Sequence, residues 1–370
     1  MELRVLLLPG DGIGTEVTRE AVKVLTQVAA AFGHKLSLSE GLLGGIAIHK
    51  AGTPFPEETR KLALAADATL MGAVGLPEFD DAPPDKRPER GLLGIRKALQ
   101  VYANLRPVRS YRALVHSSPL KNELVEGTDL IIVRELTGGL YYGTPRGISG
   151  MGKEERAVNT MTYTRPEIER IAHVAFQLAR KRKRKVTSVD KSNVLENSQL
   201  WRRVVTELAA EYPDVTLDHL LVDNCAMQLV LHPKQFDVVV TENLFGDILS
   251  DEAAVLAGSI GMLPSASIGD TKPSGARVGL YEPVHGSAPD IAGQNKANPL
   301  GAIGSVAAML EYSFGLVQEA QSVTSAMEEV LNSGRVTADL KPAGTPASSS
   351  QVGDAVCAAL SARAASASIH

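Results

Sequence analysis

The opening residues constrain the fold more than any other stretch. A short β-prone apolar run, Arg4–Leu8, runs into Pro9-Gly10-Asp11-Gly12-Ile13-Gly14. From Thr15 onward the apolar residues take helical spacing, with Val17, Ala21, Val24, Leu25 and Val28 on one face. Strand, glycine loop and helix follow one another without spacer. The unit then recurs: a strand near Leu36–Ser39, a helix over Pro56–Ala66 and a strand over Ala68–Gly72. Further strands are expected at Leu130–Val133, Val186–Val189, Leu217–Val222 and Val238–Val240. Helices are expected at Leu92–Tyr102, Arg165–Lys181, Asn193–Tyr212, Gly301–Glu311, Ala320–Asn332 and Val352–Leu360, with a frayed tail after them. Strands alternating with helices imply an α/β fold with a largely parallel sheet. A chain of 370 residues predicts two domains.

Several functions are excluded at this stage. No apolar run approaches the ~18 residues of a membrane span, and the N-terminal run before Pro9 is too short for a secretory signal. Two cysteines, Cys225 and Cys357, make neither a disulfide framework nor a thiolate metal cluster. A net charge of −4 argues against a general nucleic-acid binder. The expectation is a cytoplasmic, reduced, soluble protein with no nucleic-acid and no membrane partner. Three segments interrupt the alternation. Pro77–Pro88, dense in proline and charge, predicts a long exposed loop. Thr137–Thr164, rich in Gly, Tyr and Thr, reads as a hairpin or arm suited to exchange between subunits. The basic run Lys181–Lys185 reads as the solvated end of a helix.

The glycine loop is spaced G-x-G-x-G rather than G-x-G-x-x-G, and the acidic Glu40 lies further on than a dinucleotide fingerprint asks. A tight strand–helix turn and a loop beside some other nucleotide site both remain open. Three strand ends carry chemistry: Asp190-Lys191, Asp223-Asn224, and Asp247 with Asp251 at helical i, i+4 spacing. Like charges at that spacing repel, so either a cation intervenes or the acids simply favour a helix start. Hard oxygen donors suit Mg2+ or Mn2+. Three such strand ends with a lysine among the acids suggest a metal site with a proton-transfer group. Arg96, Arg106 and Arg134 each stand near an element end, and arginine suits bidentate carboxylate binding. Tyr141 reads as packing or as an acid. The loop His285-Gly286-Ser287-Ala288-Pro289-Asp290, with Asn298 beyond, is polar and rich enough in small residues to admit close backbone approach.

These pieces, in this order, resemble the metal-dependent β-decarboxylating dehydrogenases of 2-hydroxy acids. The motifs are LLPGDGIGTEV, ANLRPVR, RELTGGLYYGTPRG, DKSNVLENSQLWR, VDNCAMQLV, TENLFGDILSDEA and YEPVHGSAPDIAG. They span the chain to about residue 335. The resemblance implies a two-domain isopropylmalate dehydrogenase-like α/β fold: a central mixed sheet flanked by helices, not a Rossmann fold. Residues 1–101 and 258–370 would form the first domain, on the cofactor side, and 102–257 the second. It implies a homodimer with shared active sites, with the arm 137–164 at the interface.

By matching motifs, the resemblance gives Arg96, Arg106 and Arg134 to the two substrate carboxylates. It gives Asp247 and Asp251 to the metal, with Asp223 and the general base Lys191 supplied by the other subunit. Tyr141 becomes the acid. His285, Gly286, Ser287, Ala288, Pro289, Asp290 and Asn298 become the holders of the adenosine part of NAD. The apolar wall of Leu92 and Leu93, joined by Val194 and the stem of Glu89, implies an isopropyl-bearing malate. A third carboxylate would want a polar partner here, and none is present. Asp290-Ile291 stands where NADP-using relatives carry Lys-Tyr, and a carboxylate there accepts from a ribose 2′-hydroxyl while repelling a 2′-phosphate. Sister enzymes acting on tartrate, malate, homoisocitrate or isocitrate are the alternative. A non-catalytic relative would be expected to have lost an acid or the lysine, and all are present.

Overall fold

The N-terminal apolar run is β1 (Glu2–Gly10), and the amphipathic stretch after it is α1 (Gly14–Ala31). Val17, Ala21, Val24, Leu25 and Val28 are all fully buried, each worth about 1.5–3 kcal/mol for the larger side chains. A computed structural model describes residues 1–83 and 86–367. It divides the chain into two compact units. One comprises Met1–Val101, Tyr111–Pro119 and Ala257–His370, the other Tyr102–Ser110 and Leu120–Leu256.

The first unit continues with β2 (Lys35–Glu40), α2 (Gly45–Ala51), α3 (Glu57–Ala65), β3 (Ala68–Ala73) and α4 (Pro88–Leu99). The expected long loop therefore ends where α4 starts, and within it Pro77–Phe79 form a 3-10 turn. Its residues 84 and 85 lie outside the described residues, as do the last three of the tail.

The second unit contains β4 (Ala103–Arg109), α5 (Asn122–Val125), β5 (Asp129–Glu135), β6 (Gly147–Ser149), β7 (Arg156–Val158), α6 (Arg165–Arg180), β8 (Lys185–Asp190), α7 (Glu196–Ala209), β9 (Thr216–Leu221), α8 (Val222–Leu231), β10 (Val238–Thr241) and α9 (Asn243–Ala254). The chain then returns to the first unit as β11 (Pro264–Thr271), β12 (Arg277–Pro283), α10 (Leu300–Tyr312), α11 (Val317–Asn332) and α12 (Ser349–Ala367).

The strand order in the first unit is β2-β1-β3-β12-β11. All neighbours are parallel except β11 against β12. Helices α1, α10, α11 and α12 pack on one another. In the second unit the order is β4-β5-β10-β8-β9. β4 is antiparallel to β5, and the remaining pairs are parallel. In each unit the strands are of mixed direction and flanked by helices, as expected for the fold class. The segment 137–164 forms the antiparallel pair β6/β7, with Ile148, Met151 and Val158 exposed. Among the described residues no helix is long and apolar enough to cross a membrane.

Three expectations are revised. The strands β4, β11 and β12 and the helices α2 and α8 do not stand out in the hydrophobic pattern. The second expected strand end is a helix, because β9 stops at Leu221 and Val222 already starts α8, which places Asp223 in its first turn. The basic run is not a uniformly solvated helix end. Arg182 is held by Asp129 and Asp237, and Lys185 opens β8 and pairs with Asp218.

Candidate active site

In the second unit β5, β10, β8 and β9 run parallel, so their carboxyl ends share one sheet edge, where ligands of open α/β sheets bind. Arg134, the last residue but one of β5, is in register with Thr241 at the end of β10, and α9 starts two residues after Thr241. Glu242 caps α9, its carboxylate accepting from the backbone N–H groups of Leu244 and Phe245. Burial raises the Glu242 carboxyl above its ordinary range against the pull of those two donors. The acid just before this helix thus has a capping task. Asp247 and Asp251 point elsewhere.

Asp247 gathers three groups. Its Oδ1 accepts from Arg134 Nη1 and lies 3.6 Å from Arg106 Nη2, and its Oδ2 accepts from the Tyr141 hydroxyl at 2.8 Å. Arg106 Nη1 reaches Asp251 Oδ1 at 2.9 Å and Ser250 Oγ at 2.6 Å, while its Nε donates to Asn104. Both guanidiniums are almost fully buried, whereas Asp247 is a third exposed and Asp251 more than half. The two cations form a floor and the two carboxylates a rim. Gly246 makes this possible. A Cβ there would lie 2.6 Å from Arg134 Cγ, so only glycine lets the arginine stem lie against α9.

Tyr141 ends a 3-10 turn, Gly139–Tyr141, and its ring lies under the Arg134 guanidinium, 5.7 Å from the centroid. Burial first, and the Asp247 carboxylate second, push its hydroxyl up to about 12.

A second pair lies at the ends of β8 and β9. Lys191 Nζ donates to Asp223 Oδ1 at 2.7 Å, and this bond holds the Asp223 carboxyl below the usual carboxylate range. Val194, in the turn before α7, is exposed. Among the described residues no three carboxylate, imidazole or thiol groups come together as a metal cage.

In the first unit Glu89, Leu92, Leu93 and Arg96 fall at i, i+3, i+4 and i+7 of one α4 face. Both leucines are half-buried. Arg96 donates to Glu282 Oε1 at 2.6 Å, and both side chains are buried. The loop that holds His285 packs on the glycine loop. Ile13 N–H donates to the Ser287 carbonyl, and a Cβ on Gly12 would sit 2.1 Å from that oxygen. Glu16 accepts from the backbone of Gly293 and Asn295, tying down the far end. The unusual glycine spacing thus serves this loop–loop contact. Ala288 takes a left-handed conformation and Asp290 is exposed. Burial lowers the His285 pKa, and its Nε2 is buried without a protein partner. Asn298 donates to Asp339 and accepts from Leu300 N–H, so its amide also caps α10.

A sequence model described as isocitrate/isopropylmalate dehydrogenase matches residues 4–356. The chain belongs to that family. It is 61% identical over 341 residues to the 3-isopropylmalate dehydrogenase of Geobacillus kaustophilus (strain HTA426), covering 92% of this chain and 91% of that one. It is 56% identical over 367 residues to the enzyme of the same name from Shouchella clausii (strain KSM-K16), covering 99% and 100%. Among solved structures, isocitrate dehydrogenase from Methylococcus capsulatus superposes with a TM-score of 0.85 at 36% identity, over 97% of this chain and 99% of that one. A β-decarboxylating dehydrogenase from Thermococcus kodakarensis in its apo form gives 0.77 at 36%, over 97% and 96%.

The structure therefore brings Arg106, Arg134, Tyr141, Asp247 and Asp251 into one cluster, and Lys191 and Asp223 into another. Asn243, Glu282, Glu16 and Glu242, which orient these groups, were not singled out by sequence. The partners of Asn243 and Glu282 are too distant along the chain for spacing to reveal, 109 residues for Asn243–Arg134 and 186 for Arg96–Glu282, whereas Glu242 caps α9 through partners two and three residues on and was locally legible.

Proposed function

We propose that the chain oxidises 3-isopropylmalate at C2 with NAD and releases the carboxylate on C3 as CO2. The product is 4-methyl-2-oxopentanoate, and the setting is cytoplasmic leucine biosynthesis. Identity above 55% with proteins of that name over nearly the whole chain carries the reading.

The charge balance of the cluster supports it. Arg106 and Arg134 are neutralised by Asp247 and Asp251. A divalent cation together with a dicarboxylate adds no net charge, so both can enter a buried floor without leaving an ion unpaired. Asp247 and Asp251, with Asp223 of a second copy, are the hard-oxygen donors suited to Mg2+ or Mn2+. When bound, the metal supplies Lewis acidity at the 2-hydroxyl oxygen, and NAD supplies the hydride acceptor.

The remaining steps belong to side chains. Arg96, Arg106 and Arg134 hold the two carboxylates. Lys191 takes the hydroxyl proton as hydride leaves C2. Loss of CO2 breaks the bond between C3 and its carboxyl carbon, and the electron pair passes into the enolate. Tyr141, kept protonated by its raised pKa, delivers a proton to C3. Leu92, Leu93, Val194 and the stem of Glu89 shape the isopropyl pocket. His285 Nε2, neutral and unpartnered, is an acceptor for an adenine donor when Nδ1 carries the ring proton. The exposed Asp290 carboxylate selects a ribose hydroxyl over a phosphate.

Two measurements test this. Absorbance at the NADH band should rise with 3-isopropylmalate and NAD only while a divalent metal is present, and undiminished activity after exhaustive chelation would sink the metal assignment. Asp290→Lys with Ile291→Tyr should move the NAD/NADP ratio of kcat/KM at least tenfold toward NADP, about 1.4 kcal/mol. An unmoved ratio would remove Asp290 from cofactor choice.

A further inference from the structure

One fully buried side chain bonds both to Arg134 and to the backbone segment that leads to Tyr141. Asn243, the first residue of α9, is fully buried. Its Oδ1 accepts two bonds from Arg134, from Nε at 3.0 Å and from Nη2 at 2.8 Å. Its Nδ2 donates two more, to the carbonyls of Leu136 at 3.2 Å and Gly138 at 2.9 Å. Its backbone N–H donates to the Tyr163 hydroxyl at 2.9 Å. The orientation of the amide is forced, because a guanidinium has only donors and two carbonyls have only acceptors.

The consequences run in two directions. Nε and Nη2 of Arg134 are committed to Asn243, which fixes the guanidinium plane and presents Nη1 to Asp247. Leu136 and Gly138 lie just before the turn Gly139–Tyr141, so their carbonyls anchor the segment that delivers the Tyr141 hydroxyl to the other oxygen of the same aspartate. Glu135 supports this anchor from below, accepting from the Gly138 N–H at 2.7 Å.

We infer that Asn243 is a positioning residue that sets the relative placement of the anion-binding Arg134 and the proton donor Tyr141. It does so through one amide, with opposite ends doing separable work. This rests on the roles proposed above for those two residues. No other residue type fills the position. Aspartate keeps the acceptor for Arg134 but turns a negative charge toward two carbonyls, alanine keeps neither bond set, and glutamine is a methylene too long for a fully buried site.

The separability supplies the test. Steady-state kinetics with 3-isopropylmalate, NAD and Mg2+ are compared for wild type, Asn243→Ala, Asn243→Asp, Arg134→Lys and the double variant Asn243→Ala with Arg134→Lys. Active-site titration corrects for the folded fraction. Asn243→Ala should raise the substrate KM at least tenfold and lower kcat at least tenfold. Asn243→Asp should lower kcat by a similar factor while holding the substrate KM within about threefold of wild type, since the Arg134 contact survives. The double variant should show no larger KM than Arg134→Lys alone, because Asn243 acts on KM through that arginine. If the effects of Ala and Asp vanish once the folded fraction is corrected, or if the double variant is multiplicative in KM, Asn243 is only a packing residue and the inference is overturned. A wild-type protein inactive on 2-hydroxy acids would instead overturn the functional reading, so the two failures are distinct.

Discussion

At the scale of single residues, Tyr141 is the proposed proton donor, and its surroundings hold it in the protonated form. A half-buried phenol beside a carboxylate loses its proton with difficulty, and the shift from 10 to about 12 keeps it an acid through the physiological range. Tyr141→Phe should therefore lower kcat by about 10²–10⁴-fold with little change in substrate KM, read by steady-state kinetics. A pH signature accompanies it. The folded-state pKa lies above the unfolded one, so the stabilisation is full below pH 10 and is lost as pH rises through about 12. Urea unfolding at about pH 9 and about pH 11 should show wild type losing stability over that interval, with a smaller loss for Tyr141→Phe. Equal losses would mean that Tyr141 titrates as in the unfolded chain. In the sequence, Asp247 and Asp251 were legible because i, i+4 spacing on a helix is local. Asn243 and Glu282 were not, because their hydrogen bonds join residues that only the tertiary fold makes neighbours.

At the scale of elements, legibility follows hydrophobic period. Helices α1, α6 and α11 carry wide apolar faces and stand where their spacing places them. β11 escaped because its sequence, PSASIGDT, is built largely from small residues, and β12, RVGLYEP, because Gly279 interrupts its short apolar run. Gly269 lies against the carbonyl of Gln100, a close backbone approach that leaves no room for a bulky residue, while Gly279 lies against the ring of Tyr281. β4 carries Pro107 within it, a residue that ordinarily argues against a strand. The boundary at Val222 was hidden because Leu220-Leu221-Val222 is one apolar run although the backbone changes from strand to helix inside it. The start of α6 shows the opposite case, a boundary written locally. Thr164 and Glu167 form a capping box, with Thr164 backbone N–H and hydroxyl both donating to Glu167 Oε2 at 2.7 Å. Thr164→Ala should destabilise the protein by ~1 kcal/mol and leave kcat and KM unchanged, as measured by urea unfolding and steady-state kinetics. A loss below the error of the unfolding measurement would show that the box is not contributing.

At the scale of the whole molecule, two facts bear on assembly. The metal-suited acids of α9 and the Lys191–Asp223 pair are separate groupings, and neither holds the three ligands a metal cage needs. Packed against each other, α8 and α9 leave Met227, Leu231 and Ile248 exposed, with exposed Val255 just past α9, while the β6/β7 arm exposes Ile148 and Met151. Exposed apolar side chains on neighbouring helices are the kind of surface that the proposed second copy would cover. A twofold dimer that covers this surface can pair the α9 acids of one copy with the lysine and aspartate of the other, giving two sites that each draw on both chains. This arrangement has a consequence that a self-contained site does not share. Lys191→Met and Asp247→Asn should each abolish turnover in a homodimer. In a heterodimer of the two, one site carries both lesions and the other carries neither, so activity should return to about half that of wild type per dimer. Differently tagged copies, co-expressed and purified through both tags, provide that species. Restored activity that vanishes when Lys191→Met and Asp247→Asn are placed on the same chain and paired with a wild-type chain would confirm the sharing, because a self-contained wild-type chain would keep about half the activity. A doubly tagged heterodimer as inactive as its parents would place the whole site within one chain.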